Sequence, residues 1–382
     1  MTDNRYRRLP VGIQSFKVIR EENYLYVDKS DIVWNMVNLG DKYNYLSRPR
    51  RFGKSVLVDT LEAYLEGRKD LFEGLKIMQL EKDWKHYPVI RLDMSRGGAN
   101  EETLRSYLNL RFKDYEEKYN ITPDPTAMLA DRFHAIIATA YKQTGLRVAV
   151  LIDEYDSPLQ HSWRTPEHEK CTGVYREVFA ILKADDEYEQ FVFITGITKF
   201  TQISLFSVLN NLSNISFTPE YAAICGITEE EIEENFMPEI RQMSEANNWS
   251  IQETHDRLKA YYDGYHFSDD NMVDIYNPYS LVNALKQRKI KNFWASSGAT
   301  SLLPKFVDNA ELRLSKFENC SIMRNTLELS DVSGGGAELF LYQSGYLTIK
   351  DSDEFGYILG FPNEEVKQAL YEYYGEDLTA GR

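Results

Sequence analysis

The run Val148-Ala149-Val150-Leu151-Ile152, followed at once by Asp153-Glu154, constrains the fold more than any other stretch of the chain. Five consecutive apolar residues leave no polar face, so the strand they form must be covered on both sides. Sheets covered on both sides are built from parallel strands joined by helical crossovers. Phe191 to Thr195 is a second strand of this kind, and Tyr43 to Ser47 and Pro88 to Met94 are shorter ones. Ala222 to Ile227 reads as a weaker strand. Helical spacing fills the gaps: Ile32, Val33, Met36 and Val37 behind a cap at Asp28 or Ser30, then Val56, Leu57, Leu61, Tyr64 and Leu65, which Gly67 ends. Glu101 to Lys118 and Ala127 to Gln143 are further helices, split by a proline-containing break at Ile121 to Pro125.

The alternation stops near residue 236. Beyond it, Ile251 to Tyr262, Ser280 to Gln287, Thr300 to Val307 and Glu364 to Tyr374 read as helices, and Asn277-Pro278 supplies a cap and a first-turn proline. Glu338 to Lys350 and Tyr357 to Leu359 are expected to form a small hairpin. The reading is therefore an α/β parallel-sheet domain over 1–236, then a mainly helical domain over 237–382, open to a winged-helix-like arrangement.

The chemistry concentrates in Arg48-Pro49-Arg50-Arg51-Phe52-Gly53-Lys54-Ser55, which lies between a strand and a helix. A chain of formal charge −15 that gathers four cations within seven residues has an anion to hold there. The last three residues satisfy the P-loop pattern, while Arg48 stands where its first glycine belongs. Gly53 lets the backbone approach phosphates, Lys54 bridges their charge, and Ser55 offers Mg²⁺ a hydroxyl at a helix N-terminus. Candidate phosphate contacts run through Arg50, Arg51, Phe52, Gly53, Lys54, Ser55 and Val56. Arg50 or Arg51 adds phosphate charge if the loop turns it inward, and is solvated if it turns outward. As an exposed loop residue, Lys54 should be removable without harm to the fold.

Asp153 and Glu154 at the end of a buried strand match the Walker B arrangement. Asp153 would hold Mg²⁺ together with Ser55, and Glu154 would activate the attacking water. The strand ending Thr195-Gly196-Ile197-Thr198 would bring Thr195 or Thr198 near the γ-phosphate, with Thr195 the favoured sensor. His161, His168 and Cys171 have no common zinc spacing, Ser204 and Ser207 form no nucleophile arrangement with a histidine, and the Asp263-Gly264 turn among aromatics reads as packing.

Leu9-Pro-Val-Gly-Ile-Gln14, Tyr24-Leu-Tyr-Val-Asp-Lys29, Leu46 to Ser55, Leu151 to Asp156 and Thr195 to Phe200 together resemble the predicted AAA-ATPase-like family. Tyr262 to Phe267, Tyr276-Asn-Pro278 and Trp294 extend the likeness more weakly. The resemblance implies strand order 5-1-4-3-2 with the carboxylates on strand 3, ATP with Mg²⁺ as cofactors, and an arginine-rich loop as a family trait. It also implies a nuclease-like domain that often follows, in which case the chain would be the regulatory half of a nucleic-acid-processing protein. A nucleotide-binding scaffold without turnover is the other alternative.

The apolar runs are too short to cross a bilayer, and nothing apolar behind Met1 to Arg8 resembles a signal peptide. Three widely spaced cysteines suit a reducing compartment, so a cytoplasmic protein is expected. The acidic charge disfavours direct nucleic-acid binding, which leaves nucleotide and an unspecified protein partner or oligomer.

Overall fold

The computed structural model describes residues 8–122, 124, 126–200, 211–295, 303–307, 314–329 and 335–374. Ser204, Ser207, Thr300 and the stretch Thr379 to Arg382 lie outside them.

Five strands form one parallel sheet: β1 Tyr43–Ser47, β2 Val89–Asp93, β3 Val148–Asp153, β4 Glu189–Gly196 and β5 Ser213–Asn214. Their spatial order is β2-β3-β4-β1-β5, which read from the other edge is the 5-1-4-3-2 order implied by the resemblance. All six positions of β3 are buried, as its unbroken apolar run requires. In register, Leu46 of β1 faces Thr195 of β4, and Asp93 of β2 faces Asp153 of β3. Helices Lys54–Leu65, Glu101–Lys118, Leu129–Thr144 and Glu167–Phe179 complete the α/β layers.

The fifth strand is not where the sequence suggests. Ala222 to Ile227 is a turn, and only Ile227 makes a bridge, to Tyr276. Gly226 has φ +94, outside the extended conformation a strand needs, and its missing side chain leaves room for Ile275. The edge goes instead to the two polar residues Ser213 and Asn214.

Four helices follow: Glu229–Asn235, Met237–Asn247, Ile251–Tyr262 and Pro278–Gln287. Thr228 and Glu231 form a capping box on the first, and Asn277 caps the last by accepting from Ser280 N. A second sheet is antiparallel: β6 Cys320–Met323, β7 Thr348–Ser352 and β8 Gly356–Gly360, in the order β6-β8-β7. Helices Arg324–Leu329 and Gly336–Ser344 lie between β6 and the β7–β8 hairpin, which is the winged-helix order. The hairpin therefore starts later than expected. Leu339-Phe340-Leu341 is helical, because a short apolar run cannot by itself distinguish strand from helix. Gly345, at φ +89, closes that helix, and its missing side chain leaves room for Pro49, whose Cβ would lie 2.5 Å from a Cβ at this position.

One core packs the parallel sheet together with Tyr265, Phe267, Ile275 and buried residues from Trp294 to Leu370, and a second gathers Leu25, Ile227, Tyr276 and Phe293 with the four helices from Glu229 to Gln287. No helix among the described residues is long and apolar enough to cross a membrane.

Candidate nucleotide site

The loop between β1 and the helix Lys54–Leu65 is held open by its backbone. Gly53 sits at φ +88, and a Cβ there would meet nothing within 4 Å, so the conformation and not crowding demands glycine. Arg51 also adopts a left-handed conformation, φ +69, unusual for a residue with a side chain.

Arg48 accounts for the missing first glycine. Its side chain is buried and donates to the carbonyls of Ser47 at 2.8 Å and of Ser216 and Tyr221 at 2.9 Å each. The guanidinium also lies 4.1 Å from the centre of the Phe267 ring. Burial pulls its pKa down to about 10, which still leaves it charged at neutral pH. Arg48 thus ties the loop to the segment after β5 and lines neither of the cavities described below. Arg51 is exposed, with its guanidinium 4.9 Å from the Tyr279 ring centre, and Arg50 lines the cavity described below.

Lys54 is not the exposed residue the sequence suggests. It is 6% exposed, and Nζ donates to the carbonyls of Arg48 and Pro49 at 2.9 Å each. Burial lowers its pKa, opposed by the carboxylates of Glu154, Asp153 and Asp156. Ser55 and Asp153 line the same polar cavity, described below. Burial raises the Asp153 carboxyl, against the pull of Ser55 and Lys54, and Asp93 across the strand pair raises it further. Glu154 is raised by burial as well, with Lys54 opposing and Asp153 adding to it. Its backbone has φ +47, a strained setting for a glutamate, and its amide donates to Asp153 Oδ1 at 2.9 Å.

Two cavities meet at these residues. A larger one of about 470 Å³ runs from Arg50–Leu57 and Glu154 to apolar walls that include Val11, Ile13, Ile227 and Val282, with Tyr279 and Asn283 among its polar groups. A polar one of about 200 Å³ is lined by Ser55, Asp93, Asp153, Glu154, Asp59 and Arg91, among others. Ser55 and Glu154 line both cavities, Lys54 the larger one and Asp153 the polar one. Among the described residues no group of three or more His, Cys, Asp or Glu forms a ready-made metal cage, so a divalent ion here would rest on Ser55 and Asp153 and on its own water and phosphate oxygens.

Thr195 is fully buried, and its hydroxyl donates to the Leu46 carbonyl at 2.7 Å; it lines neither cavity. Thr198 is committed to Asp156, whose Oδ2 accepts from the amides of Ile197 and Thr198, from Thr198 Oγ1 at 2.7 Å and from Gln160 Nε2 at 2.5 Å. Asp156 therefore locks the turn after β3 to the tip of β4. Gly196 permits this approach, since a Cβ there would strike the Asp156 carboxylate. Sequence reasoning passed over Asp156 as a turn residue, and read Pro10–Gln14, Ile224–Ile227 and Asn283 without assigning them to a cavity. The first of these stretches falls within the family-like segment at Leu9 to Gln14.

Fold and site together define a P-loop nucleotide-binding protein. The model of the predicted AAA-ATPase family matches residues 10–206, more than half of the chain. An uncharacterized protein in the vnfD 5′ region of Azotobacter chroococcum mcd 1 is 32% identical over 375 residues, which span 96% of this chain and 69% of that protein. The chain belongs to the predicted AAA-ATPase family. Among solved structures, the Orc1 protein of Aeropyrum pernix in complex with DNA aligns over 89% of each chain at 13% identity and TM-score 0.32. Cdc6p from Pyrobaculum aerophilum aligns over 98% of this chain and 97% of that one at 11% identity and TM-score 0.26. Scores this low carry no argument about function.

Proposed function

We propose that the chain binds ATP with Mg²⁺ and hydrolyses it slowly, using the bound state as a conformational switch. The observation that carries this reading is the meeting of Lys54 and Ser55, at a helix N-terminus, with Asp153 and Glu154 around a cavity of nucleotide size and its polar neighbour. Lys54 and the loop amides would hold the phosphates, and Ser55 and Asp153 the Mg²⁺, which supplies charge neutralisation. Glu154 would orient the attacking water and take its proton; a carboxyl raised by burial is suited to that work. Arg50 and Arg51 would add phosphate charge from the loop tip. A sensing role for Thr195 requires its hydroxyl to leave the Leu46 carbonyl when the site fills.

The switch reading is supported by what the loop touches. The Phe52 ring packs edge-on against Tyr265 at 4.7 Å and Phe267 at 5.4 Å. Between them, the His266 amide donates to Thr348 Oγ1 at 2.7 Å and its Nδ1 pairs with the Ile349 carbonyl at 2.8 Å, both on β7. A shift of the loop therefore has a packed path to the second sheet.

A hydrolysis assay titrated with nucleotide tests the reading. Glu154→Gln should keep ATP binding and slow turnover by about 10²-fold or more. Asp153→Asn should weaken the Mg²⁺-dependent part of binding. Wild-type hydrolysis by both variants would reduce the carboxylate pair to a strand cap, and binding without any turnover by the wild type would favour a scaffold.

A further inference from the structure

Two surface features outside the nucleotide site are complementary in charge. The first is the tip of the β7–β8 hairpin. Phe355 is 77% exposed and Met323, whose strand pairs with β8 at Gly356, is 71% exposed. Asp351, Asp353 and Glu354 surround them and are exposed too. Among the described residues these carboxylates accept only from turn amides, Ser352 N on Asp351, and Phe355 N and Gly356 N on Asp353.

The second is the turn that ends the helix Pro278–Gln287. Lys286, Arg288, Lys289 and Lys291 are all exposed there, around a half-buried Ile290. Among the described residues none of the four has an ion pair; the Arg288 side chain donates to Gln242 Oε1 at 2.8 Å. Four exposed cations in six residues stand out in a chain of charge −15. No ion pair joins the two features within one chain among the described residues, although each carries what the other lacks.

We infer that the hairpin tip of one copy docks on the basic turn of a second copy. Asp351, Asp353 and Glu354 would meet Lys286, Arg288, Lys289 and Lys291, and Phe355 and Met323 would leave water against Ile290. Such a contact uses a different patch on each copy, so it is heterologous and builds rings or longer assemblies. A phosphate backbone suits the pair less well, because the hairpin tip carries three acids and the whole field of the chain is negative.

Light scattering across a protein concentration series tests this. Wild-type mass should rise with concentration at about 50 mM salt and fall at about 500 mM, as ion pairs are screened. Asp353→Lys with Glu354→Lys, or Lys289→Glu with Lys291→Glu, should each weaken association by about tenfold or more through like-charge contacts. Mixing the two double variants should restore it, now as alternating copies, a result that loss of folding cannot mimic. Phe355→Ser should weaken association without changing its salt dependence. A wild type that stays monomeric throughout overturns the inference, as does association that neither reversal changes. Nucleic-acid binding lost on reversal of the basic turn, with no self-association, would assign that turn to a different partner and overturn it as well.

Discussion

Restoring the P-loop glycine at position 48 should damage this protein. Arg48→Gly removes three hydrogen bonds from a charged donor to the carbonyls of Ser47, Ser216 and Tyr221. Each such bond contributes about 1.5–3 kcal/mol, and the desolvated contact with Phe267 about 2 kcal/mol. Against this stands the cost of burying a cation that no carboxylate pairs with among the described residues, which is several kcal/mol. The balance is a loss of about 3–5 kcal/mol, at the upper end of single-substitution effects. In a chain of 382 residues, whose unfolding entropy is about 0.8 kcal/mol per degree, that corresponds to a drop of about 4–6 °C in melting temperature. Arg48→Lys keeps the charge without the planar fork, so it should hold fewer of the three carbonyls and fall between wild type and glycine. Thermal melts paired with ATP calorimetry would show the loss of stability accompanied by weaker binding, since the loop loses its tie to the segment after β5. A glycine variant that melts like wild type and binds ATP equally well would refute the anchoring role and leave Arg48 a mere substitution.

Lys54→Ala should abolish most ATP affinity in calorimetry and also lower stability by about 1–3 kcal/mol, because its buried ammonium leaves two loop carbonyls without donors; an unchanged denaturation midpoint would contradict the second part. Asp263 has both carboxylate oxygens buried without a hydrogen-bond partner, Lys259 Nζ is 3.7 Å away, and Asp274 and Glu229 add like charge. Burial first, and then those acids, raise its pKa to about 7. The folded chain therefore holds a proton that the unfolded chain releases near pH 4, so this group's contribution to stability is full below that pH and is lost as pH rises to about 7. Asp263→Asn should stabilise the protein by up to about 4 kcal/mol at pH 8 and by little at pH 4. Denaturant midpoints at both pH values check this, and a destabilised variant at pH 8 would mean that the Lys259 contact outweighs burial.

What the sequence made legible was local. The β3 run announces a strand buried on both faces, because no polar residue interrupts it. Gly53-Lys54-Ser55 announces a phosphate loop, because backbone approach, charge and hydroxyl must sit on consecutive residues. The adjacent carboxylates need only be placed at a strand tip. The misreadings share the opposite property. Arg48 is explained by carbonyls at residues 216 and 221, far along the chain, so its burial has no local signature. Ala222 to Ile227 has strand composition, but Gly226 sits at φ +94 against Ile275, a contact about fifty residues away that leaves no local signature. Glu338 to Ser344 carries apolar residues that suit either period, and only Gly345 against Pro49 shows where the helix must stop.

That last contact bears on how the loop works. Pro49 leans on Gly345, Phe52 sits against Tyr265 and Phe267, and Arg48 stacks on Phe267, so three loop positions touch residues that are more than two hundred places later in sequence. A free P-loop needs a glycine at its first position so that it can wrap a phosphate unaided. Here the backbone carbonyls and aromatic rings of later segments hold the loop from outside, and an arginine able to reach three carbonyls at once provides the anchor. The same ties that replace the glycine are those through which a change at Lys54 would reach β7, so the arginine substitution and the proposed switch have one structural origin.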